Sequence, residues 1–247
     1  MTDVPKLTFL RLPTELRLQI AAYVFQQDES TGIIKISDRR RRLDRDYSAA
    51  SHLSTLLVCR QFKHDFRDLA YRLTTFVFTI HNMHAIRQEP NTKLRNLRKL
   101  VIGGAWPQVD AWAMYLFDTG CLDLEQLCLV GSLPQDFGPV IGLLRRIQKV
   151  KSLRIFPTYG NHFIVYGGLV GALYKDDHFH RYDTNGAPEI SDIWWEPHFN
   201  AKDSSFDFLP CNPEPEMAEQ DYLLMMKPKI DEIIEWMEKG ENLLNHA

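Results

Sequence analysis

Much of what catalysis or metal binding requires is missing from this sequence. Its four cysteines, Cys59, Cys121, Cys128 and Cys211, form no CxxC pair and no Cys/His spacing of a zinc site. Three of them sit in apolar stretches, where a free thiol behaves as a small hydrophobe. Reduced, buried cysteine in an intracellular protein, cytoplasmic or nuclear, is therefore expected. No run approaches the roughly 18 apolar residues of a membrane span. The opening residues, MTDVPKLTFLRLP, lack a basic segment leading into a long apolar stretch, so no secretory signal is expected. Neither sign of charge dominates: the net charge of −3 exerts no long-range pull on nucleic acid or anionic membrane. There is no G-x-S-x-G elbow. Cys59 and His64, five apart on a helix, point to different faces. No paired carboxylates stand out. An enzyme is not expected, and no catalytic residue, cofactor or metal is assigned.

Three segments look suggestive and have plainer readings. Asp176, Asp177, His178 and His180, with Asp183 nearby, are the densest set of metal-ligand types, to which His162 and His198 could add. A metal-dependent hydrolase is the remote alternative they raise, but ligands must converge in space, and a polar surface loop explains them equally. Tyr166-Gly167-Gly168-Leu169-Val170-Gly171 lacks the lysine and Ser/Thr of a phosphate loop, and its glycines suit a turn and a close helix contact. Arg39 to Arg42 could be an import signal or a phosphate-contacting patch. Aspartates dilute it, and a solvated loop from Ser37 to Ser51 is the ordinary reading.

What is present is pattern, in a chain of 247 residues with 45% apolar and 25% charged content, enough for one large or two small domains. Pro13 starts a helix, with Glu15 favouring its positive end. Leu12, Leu16, Ile20, Tyr23 and Val24 recur on it at steps of three and four. Ile33 to Ile36 is β-like. A second helix over Leu53 to Leu73 places Leu56, Cys59, Phe62, Phe66 and Leu69 on one face. Then Leu73-x-x-Phe76-x-Phe78, Leu97-x-x-Leu100-x-Ile102, Leu124-x-x-Leu127-x-Leu129 and Val150-x-x-Leu153-x-Ile155 follow one another at leucine-rich-repeat spacing. Helix-capable segments at Asn82–Glu89, Val109–Thr119 and Gln135–Gln148 separate them, implying parallel strands. A compact α/β sheet without true repeats fits the same pattern. Further on, Phe163 to Tyr166 is a candidate strand, Gly167 to Tyr174 a short helix, and Ile190 to Trp195 an end strand. Asn200 to Glu216 reads as a linker. Ala218 to Glu238, broken near Pro228, is an amphipathic helix that caps the array through Leu223, Leu224, Ile230, Ile233, Ile234 and Met237.

Two phrases carry a family likeness. Leu12-Pro13-Thr14-Glu15-Leu16 leading into Ile20 resembles the opening of F-box domains, and Leu56-Leu57-Val58-Cys59-Arg60-Gln61-Phe62 resembles their closing segment. Leu69-Ala70-Tyr71 with Thr74-Thr75-Phe76-Val77-Phe78 is similar to fungal F-box-like proteins in particular. The resemblance covers about the first eighty residues well. It implies an α+β chain: an F-box-like helical module over 1–80, with an inserted strand and basic loop, then a leucine-rich-repeat-like α/β array over 81–247 with a C-terminal helix. It implies a protein-interaction adaptor that docks a Skp-type subunit of a cullin–RING ubiquitin ligase through Leu12, Pro13, Leu16, Ile20, Val58 and Cys59, and recruits a protein substrate. A non-ligase scaffold of the same derivation is the alternative. The stripe of Leu12, Leu16 and Ile20 either fills a partner's groove or faces the chain's own core. Trp194, Trp195 and Phe199 are candidates for the substrate-side surface. The two phrases are further apart than in an ordinary F-box, and Phe76 to Ile80 is a candidate pairing partner for Ile33 to Ile36. No nucleic-acid or membrane partner is implied.

Overall fold

In the computed structural model, which describes residues 9–37, 40–79, 88–104, 120–158 and 162–245, the chain is a mixed α+β protein with a long C-terminal helix. The segments expected to be helical at 82–87 and 109–119 lie outside the described residues.

The leucine-patterned phrases supply four parallel strands: β3 (Thr75–Thr79), β4 (Lys99–Gly103), β5 (Gln126–Gly131) and β6 (Leu153–Pro157). Their register follows the pattern. Phe76, Leu100, Leu127 and Leu153 are successive partners, and so are Phe78, Ile102, Leu129 and Ile155. Because side chains alternate across a strand, both rows fall on one face, buried in the main core along β4, β5 and β6 and half-buried against it at Phe76 and Phe78. The residues between them, Val77, Val101 and Cys128, fall on the opposite face. Sheets buried on both faces need such near-continuous apolar runs.

Beyond β6 the array changes direction. β7 (Trp194–Asn200) and β8 (Ser205–Cys211) form an antiparallel hairpin, and β8 pairs antiparallel with β6, giving the order β3-β4-β5-β6-β8-β7. The expected linker therefore contains a strand. Its alternation explains this: Phe206 and Phe208 extend the two core rows as partners of Ile155 and Leu153.

Helices cover the core face. The first is α5 (Gly138–Arg146), followed by α6 (His162–His178) and α7 (Glu219–Asn245); the short α4 (Asn91–Leu94) precedes β4. The expected strand at Phe163 to Tyr166 and the helix after it are one element, α6. Its Gly167 lies so near Met237 of α7 that a β-carbon would overlap that side chain. The glycine cluster thus serves close helix contact. α7 runs unbroken through Pro228; the hydrogen bond that proline forfeits would have used the carbonyl of Leu224, a residue that is 70% exposed. α7 does not cap an open end, because β8 occupies the free edge of β6. It instead buries Tyr222, Met226 and Ile233, leaving Leu223, Leu224, Ile230 and Ile234 exposed.

A hairpin of β1 (Ile33–Ser37) and β2 (Arg40–Leu43) covers the other face of the sheet. Ile33 and Leu43 meet Val77, Val101, Cys128, Val130 and Phe156 there. β1 pairs with β2 and not with β3, whose ladder partner is β4. Part of the basic stretch is thus a strand and not a loop. Arg41 turns inward, donating to the Ser37 carbonyl at 3.1 Å and standing 3.7 Å from Asp203. A boundary at residue 80 falls between two hydrogen-bonded strands of one sheet.

Burial marks this core chemically. It pushes the Cys128 thiol up to about 12, the Tyr174 phenol up to about 12, and the phenols of Tyr166 and Tyr222 upward as well. Each group is held neutral in the fold but ionises at its ordinary value once unfolded. Their contribution is therefore complete below about pH 8.5 and shrinks as pH climbs through the thiol and phenol range near about 10. Thermal melts across alkaline pH should show a steady midpoint to about pH 8.5 and a progressive fall above it.

Candidate partner-docking surface

Pro13, with φ −50° and ψ 147°, turns the chain into α1 (Thr14–Phe25), and Gln26 ends it by returning to extended backbone. Apolar side chains stand on both sides of this helix. Ala21 and Phe25, fully buried, face inward. Leu16 (46% exposed), Ile20 (41%), Tyr23 (81%) and Val24 (46%) face outward. The sequence-derived stripe is therefore the outer face of α1, with Leu12 half-buried and Pro13 exposed at its start.

The inward face meets the closing phrase. The expected single helix over Leu53 to Leu73 is three pieces: α2 (Ala49–Leu53), a 3-10 turn at Ser54–Leu57, and α3 (Arg60–Leu73). The break has a local cause. Cys59 is extended, at φ −158° and ψ 165°, and its Sγ accepts the Phe62 N–H at 3.3 Å, acting as the N-cap of α3. Cys59 is half-buried, whereas Val58 beside it is 73% exposed.

α1 and α3 share a small core of their own. Phe25, Leu56, Phe66 and Ala70 are buried in it, with Phe9 and Phe62 packed alongside. Phe62 and Phe66 stand edge to face at 4.7 Å, and Phe25 meets the His52 ring at 5.8 Å. Arg17 on α1 pairs with Asp65 on α3 at 2.6 Å. The Asp65 carboxyl is held below its ordinary range by the His64 hydrogen bond first and by Arg17 next. The insertion between the two phrases leaves this layer to cover the sheet and is stitched back to β3. Tyr47 donates to the Thr75 carbonyl at 2.6 Å, and Gln27 accepts the Thr75 N–H at 2.7 Å.

Leu16, Ile20 and Val58 thus lie on accessible surface, while Leu12 and Cys59 are partly covered. Leu57, 76% exposed on the 3-10 turn, belongs to the same layer. Its place in the Leu56–Phe62 phrase was the available signal, masked because a continuous helix would have hidden the turn. The aromatic surface near the C-terminus is corrected. Trp194 and Trp195 are 6% and 3% exposed. Trp194 stacks on Tyr174 at 5.8 Å beneath the Lys229 ammonium, and the Trp195 indole donates to the Leu144 carbonyl at 2.8 Å. The helices that cover the sheet claim both rings. Phe199 is half-buried against Phe163, Tyr166 and Trp236.

The acidic and histidine-rich segment lies at the end of α6 and the π-helical turn Phe179–Asp183, not in a loop. His178 bridges Asp183 and Glu219, each at 3.2 Å. His180 meets Glu189 at 3.2 Å and Asp176 at 3.7 Å, and Arg145 pairs with Asp176 at 3.1 Å. These groups fasten α6 to its neighbours. Among the described residues no group of three or more His, Cys, Asp or Glu is arranged to hold a metal ion, and no helix is long and apolar enough to cross a membrane.

Comparison with protein-family models, with curated proteins and with solved structures found no match.

Proposed function

We propose that this chain is an F-box-like interaction adaptor whose α1–α3 layer docks a Skp-type subunit of a cullin–RING ubiquitin ligase, recruiting a protein substrate through its remaining surface. The observation that carries this reading is the outward stripe. Leu16, Ile20, Tyr23 and Val24 remain accessible although α1 is already packed through Ala21 and Phe25. A helix offering apolar anchors at such spacing suits insertion into a partner's groove. The likeness of Leu12–Ile20 and Leu56–Phe62 to the F-box phrases supplies the partner's class.

The test is co-purification of the full chain with a co-expressed Skp-type subunit. Leu16→Asp combined with Ile20→Asp is expected to abolish it while moving stability by no more than about 1 kcal/mol, because both positions are exposed. Retained binding by the double variant rejects the docking face. The insertion between the phrases, folded as a sheet-covering hairpin, favours a second reading: a scaffold of the same derivation that has lost ligase docking. Failure of the unsubstituted chain to bind the subunit would select that reading.

A further inference from the structure

The sheet carries a cleft of about 690 Å³ where β3 to β6 end, lined by Thr79, Gly103, Val130 and Thr158 and overhung by β2. The parallel strands β3 to β6 deliver their carboxyl ends to this one edge. The volume lies within the roughly 300–1,000 Å³ of small-molecule sites. Leu43, Val77 and Val130 give it apolar wall, and Arg42 and Arg45 bring positive charge to it.

Asp44 also lines the cleft and keeps its negative charge, its carboxylate accepting the Asp46 N–H at 3.0 Å, so the two arginines leave the lining with one net positive charge. The Tyr47 hydroxyl is spent on the Thr75 carbonyl. Arg41 is drawn to Ser37 and Asp203. Among the described residues, the guanidinium groups of Arg42 and Arg45 have neither an ion pair nor a hydrogen bond. Two unspent guanidinium groups beside an apolar wall match a ligand with an anionic head and an apolar body.

We propose that this cleft binds a small amphiphilic anion, its carboxylate or phosphate head at Arg42 and Arg45 and its body against Leu43, Val77 and Val130. The inference is independent of the α1 docking face.

The full chain is titrated with anilinonaphthalene sulfonate, a fluorescent anion of this shape, and with uncharged phenylnaphthylamine. Saturable binding of the sulfonate is expected, weakened at least about tenfold by Arg42→Ala with Arg45→Ala, the scale of losing charge-assisted hydrogen bonds. Octanoate or octyl phosphate should displace the dye, and the tighter competitor identifies the head group. The proposal is overturned by any of three results: the two dyes bind equally, neither competitor displaces, or the dye is lost on Leu16→Asp with Ile20→Asp instead of on the arginine variant. That last result would place the dye on the helical layer without bearing on partner docking.

Discussion

Arg181→Ala is expected to lower the unfolding free energy by about 3–5 kcal/mol, the cost of leaving one partner of a buried ion pair alone. Arg181 is 2% exposed and Asp177 9%, and they meet at 2.7 Å one helical turn apart. Three further bonds make the arrangement expensive to break. Tyr222 donates its hydroxyl to the same carboxylate oxygen at 2.7 Å, while the other guanidinium nitrogens of Arg181 donate to the Glu214 and Pro215 carbonyls at 3.0 and 3.3 Å. The group therefore ties the end of α6, through Tyr222, to α7 and to the segment that leads into it. Removing the guanidinium strands a buried carboxylate and two carbonyls together.

For a chain of this size each kcal/mol moves the thermal midpoint by roughly 2–4 °C, so a fall of about 10 °C is expected by circular dichroism. Arg181→Lys should fall between, since an ammonium keeps the charge but lacks the fork that reaches both carbonyls. A midpoint lowered by less than about 2 °C in Arg181→Ala would mean that water, not the protein, satisfies this site in solution.

The four parallel strands were legible because their burial obeys a period of two within phrases that repeat at similar steps. The partners Phe76, Leu100, Leu127 and Leu153 are the residues the pattern aligns. β8 was not, because Asp207 and three nearby prolines give its segment the look of a linker. Asp207 is tolerated because Arg154 on β6, its ladder partner, meets it at 2.9 Å. A charge pair across strands cannot be read until their adjacency is known. β2 was hidden for a related reason. Its arginines spell a solvated loop, yet a hairpin lying over a sheet needs only alternate residues inside, and Arg41 and Leu43 meet that need. On the candidate surface, the stripe on α1 was visible but its direction was not. Both faces of that helix are apolar, and only the position of α3 decides which one is spent.

Phe66→Ala addresses that division of α1 and α3 between a packed face and an open one. Phe66 is 1% exposed at the centre of the helical core, 4.7 Å from the Phe62 ring and 5.8 Å from Phe9. Truncating a buried phenylalanine costs about 3–5 kcal/mol, through lost burial and the cavity left behind. The helical core is separate from the one beneath the sheet, so this damage begins in the layer proposed to dock. Phe66→Ala is therefore expected to lower the thermal midpoint strongly and to weaken capture of a Skp-type subunit as a consequence. The aspartate variant of Leu16 and Ile20 should lose capture with its midpoint nearly intact. Melting and co-purification measured on both variants separate a surface that binds from a core that holds the surface in place. If Phe66→Ala melted like the parent chain, the packing of α1 on α3 would be too loose to present any face, and the docking reading would lose its support.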